Sequence, residues 1–358
     1  MSSPDWSRPF RSSYRFVRVS RATGYELGQL DYIRDGNLSV NRDTATYESA
    51  RAQTTSSADV GSDFVRCYLD ASWEDGTTES ACLGTWLLSI PERTVTDASE
   101  ECSAYLDGRL VELEEDGFSA GICLPAGTNV VAYAKGIAEG AGLEVVAEPS
   151  SVTLGTSWAF GLGSEEDEDG SKLDAINALL QMANFGAAKT DPYGRVVMAP
   201  NASASTTDPA WVFAEGASAT FLREAKEERD SRDVCNVVQA VYESEDGTTV
   251  GEAVDSDPAS PYSTVTLGRR KFKRYTYHGT ATQAQANAKA QELLETQQST
   301  IRRVTLRHVW CGARVGDVVE VRWPSAGISG RYVIRTQDID LGSPGCLTTS
   351  ELRAFERR

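Results

Sequence analysis

The sequence predicts an α+β fold that is mainly β. Three observations indicate this: short runs of aromatic and β-branched residues separated by turns at the start, helical patterns confined to the middle and to one later segment, and a return of β patterns beyond residue 211. A chain of 358 residues is long enough for two or three domains. We expect a first β domain at 1–110, a central α/β region at 111–210 together with 244–299, and a second β domain at 211–358 interrupted by that 244–299 insertion.

The first 110 residues contain strand patterns divided by turn signals. The runs that predict strands are 14–20 (YRFVRVS), 25–33, 64–71 (FVRCYLDA) and 85–90 (TWLLSI). Pro91 either ends the last run or lies at a sheet edge, because proline has no N–H to donate to a neighbouring strand. The period-2 alternation at 102–106 is typical of a half-buried strand. Strands this short and this regularly spaced suggest a β-barrel or a β-sandwich.

Two helices are predicted in the middle of the chain. The first has an apolar stripe between 130 and 138 and is capped by Thr128 or Asn129. The second begins after Ser171, the predicted N-cap, with Asp174 three residues later, and we expect Gly186 to end it. These signals predict a mixed α/β region between the two β-rich ends.

A dense acidic run, 163–170 (GSEEDEDG), separates the two helices. Its carboxylates are Glu165, Glu166, Asp167, Glu168 and Asp169. A helix–loop–helix calcium site needs carboxylates in D-x-D-x-D-G spacing with a closing glutamate, which this run lacks. We therefore interpret it as an exposed, solvated loop.

Strand patterns return in the last third of the chain. The run 234–242 (VCNVVQAVY) is almost continuously apolar, which favours a strand buried on both faces. A third helix, rich in Ala, Gln and Leu, is predicted at 282–298. Further strands are predicted at 303–309, 318–323 and 331–336.

Charge and composition exclude several classes of protein. The chain has 35 basic and 52 acidic residues and a formal charge of −17, which disfavours binding to nucleic acid or to anionic membranes. No apolar run approaches the roughly 18 residues that a membrane span requires, and the N-terminus has no apolar export signal. Seven scattered cysteines, an odd number, indicate reduced thiols rather than a disulfide framework.

The sequence offers no catalytic or metal-binding constellation. His278 and His308 are its two histidines, and His308 with Cys311 has ligand-like spacing, yet a structural zinc needs four ligands. Spacing alone leaves a Ser–His or Cys–His nucleophile open, although the common hydrolase and P-loop motifs are missing. We therefore assign no catalytic residue, no cofactor and no metal.

One basic cluster stands out in this acidic chain. It consists of Arg269, Arg270, Lys271, Lys273 and Arg274. In a strand, Arg269, Lys271 and Lys273 would share one face with Tyr275 and Tyr277. Such a stripe contacts phosphate, is simply solvated, or meets an acidic surface of another subunit. With a net charge of −17, the intersubunit interpretation is favoured.

Four stretches carry a resemblance to a known family. They are 28–39 (GQLDYIRDGNLS), 83–91 (LGTWLLSIP), 171–200 with INALL at 176–180 and DPYGR at 191–195, and 257–268 (DPASPYSTVTLG) followed by the Ala/Gln helix and VGDVV at 315–319. In this order they resemble the tail hub, or minor tail, proteins of siphophages, which are similar to the hub of T-even phage baseplates. Val315 stands where such proteins often have a proline.

The resemblance implies a fold and a mechanical role. It implies two tail-tube-like antiparallel β-barrels with a mixed α/β region between or inserted in them. It also implies a non-enzymatic virion protein whose homotrimer adapts the six-fold tail tube to a three-fold tip, since three copies would supply six barrels. The protein would be made in the bacterial host cytoplasm and would lie at the virion tail tip.

The same resemblance implies partners. They are a distal tail or tube protein above the ring, a fibre, spike or lytic protein below it, and the tape-measure protein, with no membrane, no cofactor and no specific nucleic-acid binding. An acidic ring lumen would repel passing DNA. Residues 165–169 are the candidate acidic loop for that lumen, whereas the basic cluster should avoid it.

Two other functions stay open. A tail-associated cell-wall hydrolase would need catalytic residues that the sequence does not reveal. A receptor- or carbohydrate-binding tail module would present exposed aromatic side chains, for which Trp73, Trp158 and Trp211 are candidates. Because large aromatic residues are more often core residues, we expect these tryptophans to be buried.

Overall fold

The computed structural model describes residues 5–55, 60–96, 100–160, 170–200, 207–228, 234–244, 247–279, 281–299 and 302–354. The acidic residues 165–169 therefore lie outside the described part of the chain. The predicted mainly β, α+β class is confirmed. Strands from both ends of the chain form one large sheet, and three smaller sheets accompany it.

The N-terminal half of the large sheet consists of seven antiparallel strands. These are β1 (Phe10–Val19), β2 (Glu26–Gln29), β3 (Ile33–Asn41), β4 (Glu48–Thr54), β5 (Phe64–Trp73), β6 (Thr78–Val95) and β7 (Glu100–Gly108). They lie in the order β3-β4-β7-β6-β5-β1-β2. β4 alternates strictly between buried and exposed residues, because one of its faces packs on the core and the other faces solvent.

Of the two predictions for Pro91, the one that it ends its strand is wrong. β6 continues to Val95, and its register with β7 shifts between Ser89 and Glu92. Beyond Leu87 the described part of β6 pairs only with β7. On its other side no described neighbouring strand requires a backbone N–H donor from β6. The alternative prediction, an edge position, therefore describes Pro91 correctly.

Short helices and strands make up the central region. They are α1 (Val111–Glu114), β8 (Ile122–Leu124), α2 (Val130–Gly140), β9 (Val145–Ala147), β10 (Trp158–Phe160), α3 (Lys172–Met182), β11 (Lys189–Thr190) and β12 (Val196–Met198). Asn129 caps α2, and Ser171 with Asp174 forms a complete capping box on α3, both as predicted. α3 ends earlier than the predicted Gly186, because Asn184 already adopts a left-handed conformation (φ 60°).

The C-terminal half of the large sheet combines two strands before the insertion with four after it. They are β13 (Trp211–Ala214), β14 (Phe221–Glu228), β18 (Arg302–His308), β19 (Val318–Trp323), β20 (Ile328–Asp340) and β21 (Thr348–Ala354), with a 3-10 helix at Pro324–Ala326. β14, β18, β21, β20 and β19 are neighbours in that order, and β13 adds to β19 in parallel.

The two halves are joined edge to edge. β20 pairs antiparallel with β3, from Thr336 opposite Asn41 to Asp340 opposite Asn37. Among the described strands this large sheet runs from β14 to β2 without closing on itself. The two closed barrels therefore stay a prediction.

The insertion forms a small α/β unit of its own. It contains β15 (Val237–Ser244), β16 (Gly247–Val254), α4 (Thr264–Leu267), β17 (Phe272–His278) and α5 (Gln283–Ser299), with β15 between β16 and β17. Sequence reasoning placed residues up to 243 in the second β domain, yet β15 pairs within this unit. The unit has a separate core of Cys235, Val238, Ala240, Ala253, Ala290 and Leu294.

Candidate assembly surfaces

The predicted basic cluster lies at the start of β17. Lys273 and Arg274 are in the strand, whereas Arg269, Arg270 and Lys271 precede it. The segment is fixed by Asn236, a fully buried residue. The Asn236 side chain donates to the carbonyl oxygen of Arg269 and accepts from the backbone N–H of Lys271, at 3.0 and 2.7 Å. A buried amide thus determines where the basic residues lie.

The basic residues divide between two faces of the small sheet. Tyr275 and Tyr277 pack on the core beneath α5, and Lys273 on the same face donates to Gln297 of α5 over 3.4 Å. Arg274 lies on the opposite, open face, where its guanidinium donates to Gln239 at 3.2 Å. The shared face predicted for Lys273, Tyr275 and Tyr277 is therefore present, whereas Arg269 and Lys271, predicted on the same face, precede the strand.

The open face is ordered in rows across the three strands. The outer row is Val254, Val237 and Phe272, the middle row Glu252, Gln239 and Arg274, and the inner row Val250, Val241 and Thr276. Gln239 Nε2 donates to Glu252 Oε2 at 2.7 Å, and Arg270 pairs with Glu252 Oε1 at 3.1 Å. A hydrogen-bonded polar row thus runs between two largely apolar rows.

The apolar side chains at the edges of this face are exposed. Phe272 is 50% exposed, Val254 42% and Val250 40%. On α4, Val265 and Leu267 are exposed as well. An apolar surface rimmed by charges is typical of a site that binds another protein.

A second site joins three parts of the chain through the DPYGR turn at 191–195. Thr85 Oγ1 of β6 donates to the Pro192 carbonyl at 2.8 Å, and Arg109 Nη1 donates to the Gly194 carbonyl at 3.4 Å. Asp191 holds the turn together, because its carboxylate accepts from the backbone N–H groups of Tyr193 and Arg195. In the sequence this motif was only part of a stretch that carries the family resemblance, and its role as a connector to the N-terminal half is visible only in the structure.

A buried carboxylate lies at the same junction. Glu48 at the start of β4 accepts a hydrogen bond from Thr190 of β11, and both side chains are buried. Burial raises the pKa of Glu48 to about 7, against the hydrogen bond from Thr190 and the positive charge of Arg314. Burial also lowers the pKa of Arg314 and of the nearby Lys189. Burial therefore disfavours the charged forms of Glu48, Arg314 and Lys189 at this junction.

His308 is a structural residue of the second half. Its Nδ1 lies 2.8 Å from the Val309 carbonyl oxygen, which can only accept, so Nδ1 carries the proton and Nε2 accepts from Ser350 Oγ at 2.8 Å. Burial lowers the pKa of His308 to about 4, and Ser350 is fully buried. Since substrate cannot reach this Ser–His pair in the described fold, it does not form a nucleophilic site.

The remaining candidates give mixed results. Trp73 is buried as expected, whereas Trp158 and Trp211 are only half-buried, and Trp158 stacks on Phe160 with ring centroids 5.5 Å apart. Within the described ranges no three His, Cys, Asp or Glu side chains are grouped to hold a metal ion. No helix in the described part of the chain is long and apolar enough to cross a membrane.

Residues 171–337 match a protein family described as "Putative phage tail protein". The match begins at the capping box of α3 and extends into β20, so it includes the small α/β unit. No curated protein matches the sequence.

Several solved structures share this fold over nearly the whole chain. A tail protein from Neisseria meningitidis MC58 superimposes with a TM-score of 0.67 and 13% identity, over 96% of this chain and 97% of its own. The 43 kDa tail protein of prophage MuSo2 from Shewanella oneidensis has a TM-score of 0.65 and 9% identity, covering 95% and 97%. Prophage tail protein gp18 from Listeria monocytogenes has a TM-score of 0.54 and 10% identity, over 95% of this chain and 94% of its own.

The chain is similar in fold to solved phage tail proteins. The predicted resemblance is therefore confirmed at the level of phage tail proteins, by the family match and by the shared fold. The narrower assignment to siphophage hubs stays a prediction.

Proposed function

We propose that this chain is a structural protein of a bacteriophage tail and that it forms the hub at the distal end of the tail tube. The observation that carries the proposal is that one chain supplies two β halves paired edge to edge through β3 and β20. Three such chains place six β units around an axis, which suits a six-fold tube on one side and a three-fold tip on the other.

The proposed domains follow the described strands with one change. The first β domain is 1–110 and the second is 211–358, interrupted by an insertion that begins before β15 rather than at 244. Each would become a tube-like barrel once its remaining edges are covered by neighbouring chains. The neighbours would be a distal tail or tube protein, a tip fibre, spike or lytic protein, and the tape-measure protein.

A role without catalysis is part of the proposal. The Ser350–His308 pair, a candidate nucleophile among the described residues, is buried and joins β18 to β21. Purified full-length protein should leave peptidoglycan intact, which a dye-release assay on cell walls measures. Release above that of a heat-unfolded control would favour a tail-associated hydrolase instead.

Copy number tests the hub. We expect three copies in one ring in a reconstruction of the intact tail, at the end of the tube. A ring of six copies, or a position along the tube, would refute the hub and leave the chain a tube component.

A further inference from the structure

The small sheet has two sides: α5 packs on one of them, and the open face is the other. α5 covers the first side so closely that Gly251 has no room for a Cβ beside the backbone of Ala286. On the second side, Phe272, Val254 and Val250 remain exposed around the buried Val237 and Val241. A three-stranded sheet normally buries one face and solvates the other, so exposed apolar residues on the outer face suggest a missing partner.

The charge around this face indicates the charge of the ligand that it can bind. Arg274 is exposed on this face, Arg270 reaches it through its ion pair with Glu252, and Arg269 is exposed one residue earlier in the chain. Glu252, the carboxylate of the middle row, already bonds to Gln239 and Arg270. Two such faces would repel one another, so the surface does not pair with its own copy. It requires an acidic ligand.

The same sequence contains a ligand of matching charge. Residues 165–169 carry five carboxylates, whereas Arg270 and Arg274 give the open face an excess of positive charge over Glu252. Leu162 precedes the acidic run, and an apolar side chain there suits the apolar rows of the open face. No other run in the sequence has this density of negative charge.

We propose that the open face of the small sheet binds the acidic segment 161–169 of a second copy of this chain. The two surfaces differ, so the contact is head-to-tail, and repetition of a head-to-tail contact closes a ring when the rotation permits. The inference rests on the proposed assembly of several copies and gives it a specific contact. In this proposal the acidic segment lies at the boundary between subunits and not on the channel wall, where the sequence analysis expected it.

Zero-length cross-linking tests the contact directly. A carbodiimide joins a carboxylate to a lysine amine only when the two are in contact. Lys273 lies on the α5 side, so the protein for this test carries Arg270→Lys and Arg274→Lys, which introduce lysines at the open face. An equal mixture of unlabelled and ¹⁵N-labelled full-length protein should give mixed-isotope peptides that link these lysines to 165–169. Lys226, which is exposed on β14, serves as the control amine and should give none.

Two variants with opposite defects complete the test. One carries Arg269→Glu, Arg270→Glu and Arg274→Glu. The other keeps Arg270→Lys and Arg274→Lys and replaces all five acidic residues at 165–169 by serine. Each alone should lose the mixed-isotope links, whereas their mixture should regain links between the acidic segment of the first and the introduced lysines of the second. Adding Lys226→Glu to the chain with the two introduced lysines should leave its links unchanged, and unfolding curves should show that all variants fold.

The outcomes separate this inference from the hub itself. Links found only within one isotope would show that the segment folds onto its own chain, and the absence of any link at high protein concentration would equally overturn the contact. A threefold hub in the particle without these links would overturn the contact alone. The yield should also fall steeply between 0.1 and 1 M salt, as the Debye length shrinks from about 10 to about 3 Å.

Discussion

Gly84 and Trp86 illustrate how single residues build the N-terminal half. A Cβ at Gly84 would overlap the Trp86 ring, which is fully buried, so the glycine makes room for a tryptophan side chain in this core. Gly251 makes room in the same way for the backbone of α5. Glu48 is the contrary case, a carboxylate enclosed where an apolar residue would be expected, with Gly108 leaving space for its side chain.

Glu48→Gln should stabilise the protein above neutral pH. The folded-state pKa of about 7 lies above the ordinary value of 4.5, so the contribution of Glu48 is fully present below pH 4.5 and is lost as pH rises through 7. The neutral amide keeps a partner for Thr190 without the cost of a buried charge. We expect a gain of about 2–3 kcal/mol in the free energy of unfolding at pH 8, and little at pH 5.

Denaturant unfolding at both pH values measures this effect. Glu139→Gln, at an exposed position on α2, is the control and should change little at either pH. A Glu48→Gln variant that is equally or less stable at pH 8 would show that Glu48 is held ionised by Arg314.

Gly251→Ala should loosen the small α/β unit. The added methyl group meets backbone atoms of Ala286, which cannot turn aside as a side chain could, so α5 must move off β16. We expect hydrogen exchange to accelerate in 247–254 and 283–297 and to stay unchanged in β1–β7, because the two cores are separate. Gly136→Ala, in open space on α2, should leave exchange in all these segments as it is.

The DPYGR turn shows how an element of five residues connects larger parts. It stands between β11 and β12 and contacts β6 through the Pro192 carbonyl, while Arg314 from the loop before β19 donates to the Cys82 carbonyl of the same strand at 2.7 Å. The capping box of α3 is by contrast a local device, made by residues three apart.

Gly194→Ala should weaken this connection beyond the cost of backbone strain. Gly194 has a φ of 80°, and a Cβ there would lie 2.7 Å from Arg109 Cδ. Gly76→Ala is a matched control, with a φ of 83° and open space around it. In both variants the free energy of unfolding should fall by about 1–2 kcal/mol, because alanine disfavours the left-handed conformation. An additional loss at Gly194, measured by thermal unfolding, would report the clash at the junction; equal losses would argue against a tight connection.

On the scale of the whole molecule, assembly depends on where the acidic and basic side chains lie relative to the contacts between copies. A net charge of −17 on each copy disfavours close packing unless the basic cluster is placed at a contact. A conduit for DNA also favours carboxylates over cations along its wall, since the field acts within about 8 Å at physiological salt.

We predict that acidic side chains outnumber basic ones on the inner wall of the ring and that the basic cluster lies away from it. A reconstruction of the tail at side-chain resolution measures both. A wall formed by Arg269, Lys271 and Lys273 would contradict the conduit and would indicate contact with phosphate instead.

The sequence by itself determined what depends on neighbours along the chain. The cap at Ser171, a cap at Thr128 or Asn129, helix α5 and the mainly β class follow from spacing and turn chemistry, which act over a few residues. It also identified the basic cluster, because an excess of one charge in a short segment is visible without a fold.

Only the tertiary structure decided which distant segments meet. Strand patterns do not encode partners, so the pairing of β3 with β20 and of β15 within the insertion could not be derived from them. The division of the basic cluster depends on which face of β17 lies under α5, and the pKa of Glu48 depends on burial by β11 and the loop of Arg314. These features arise from long-range packing, which a local pattern cannot specify.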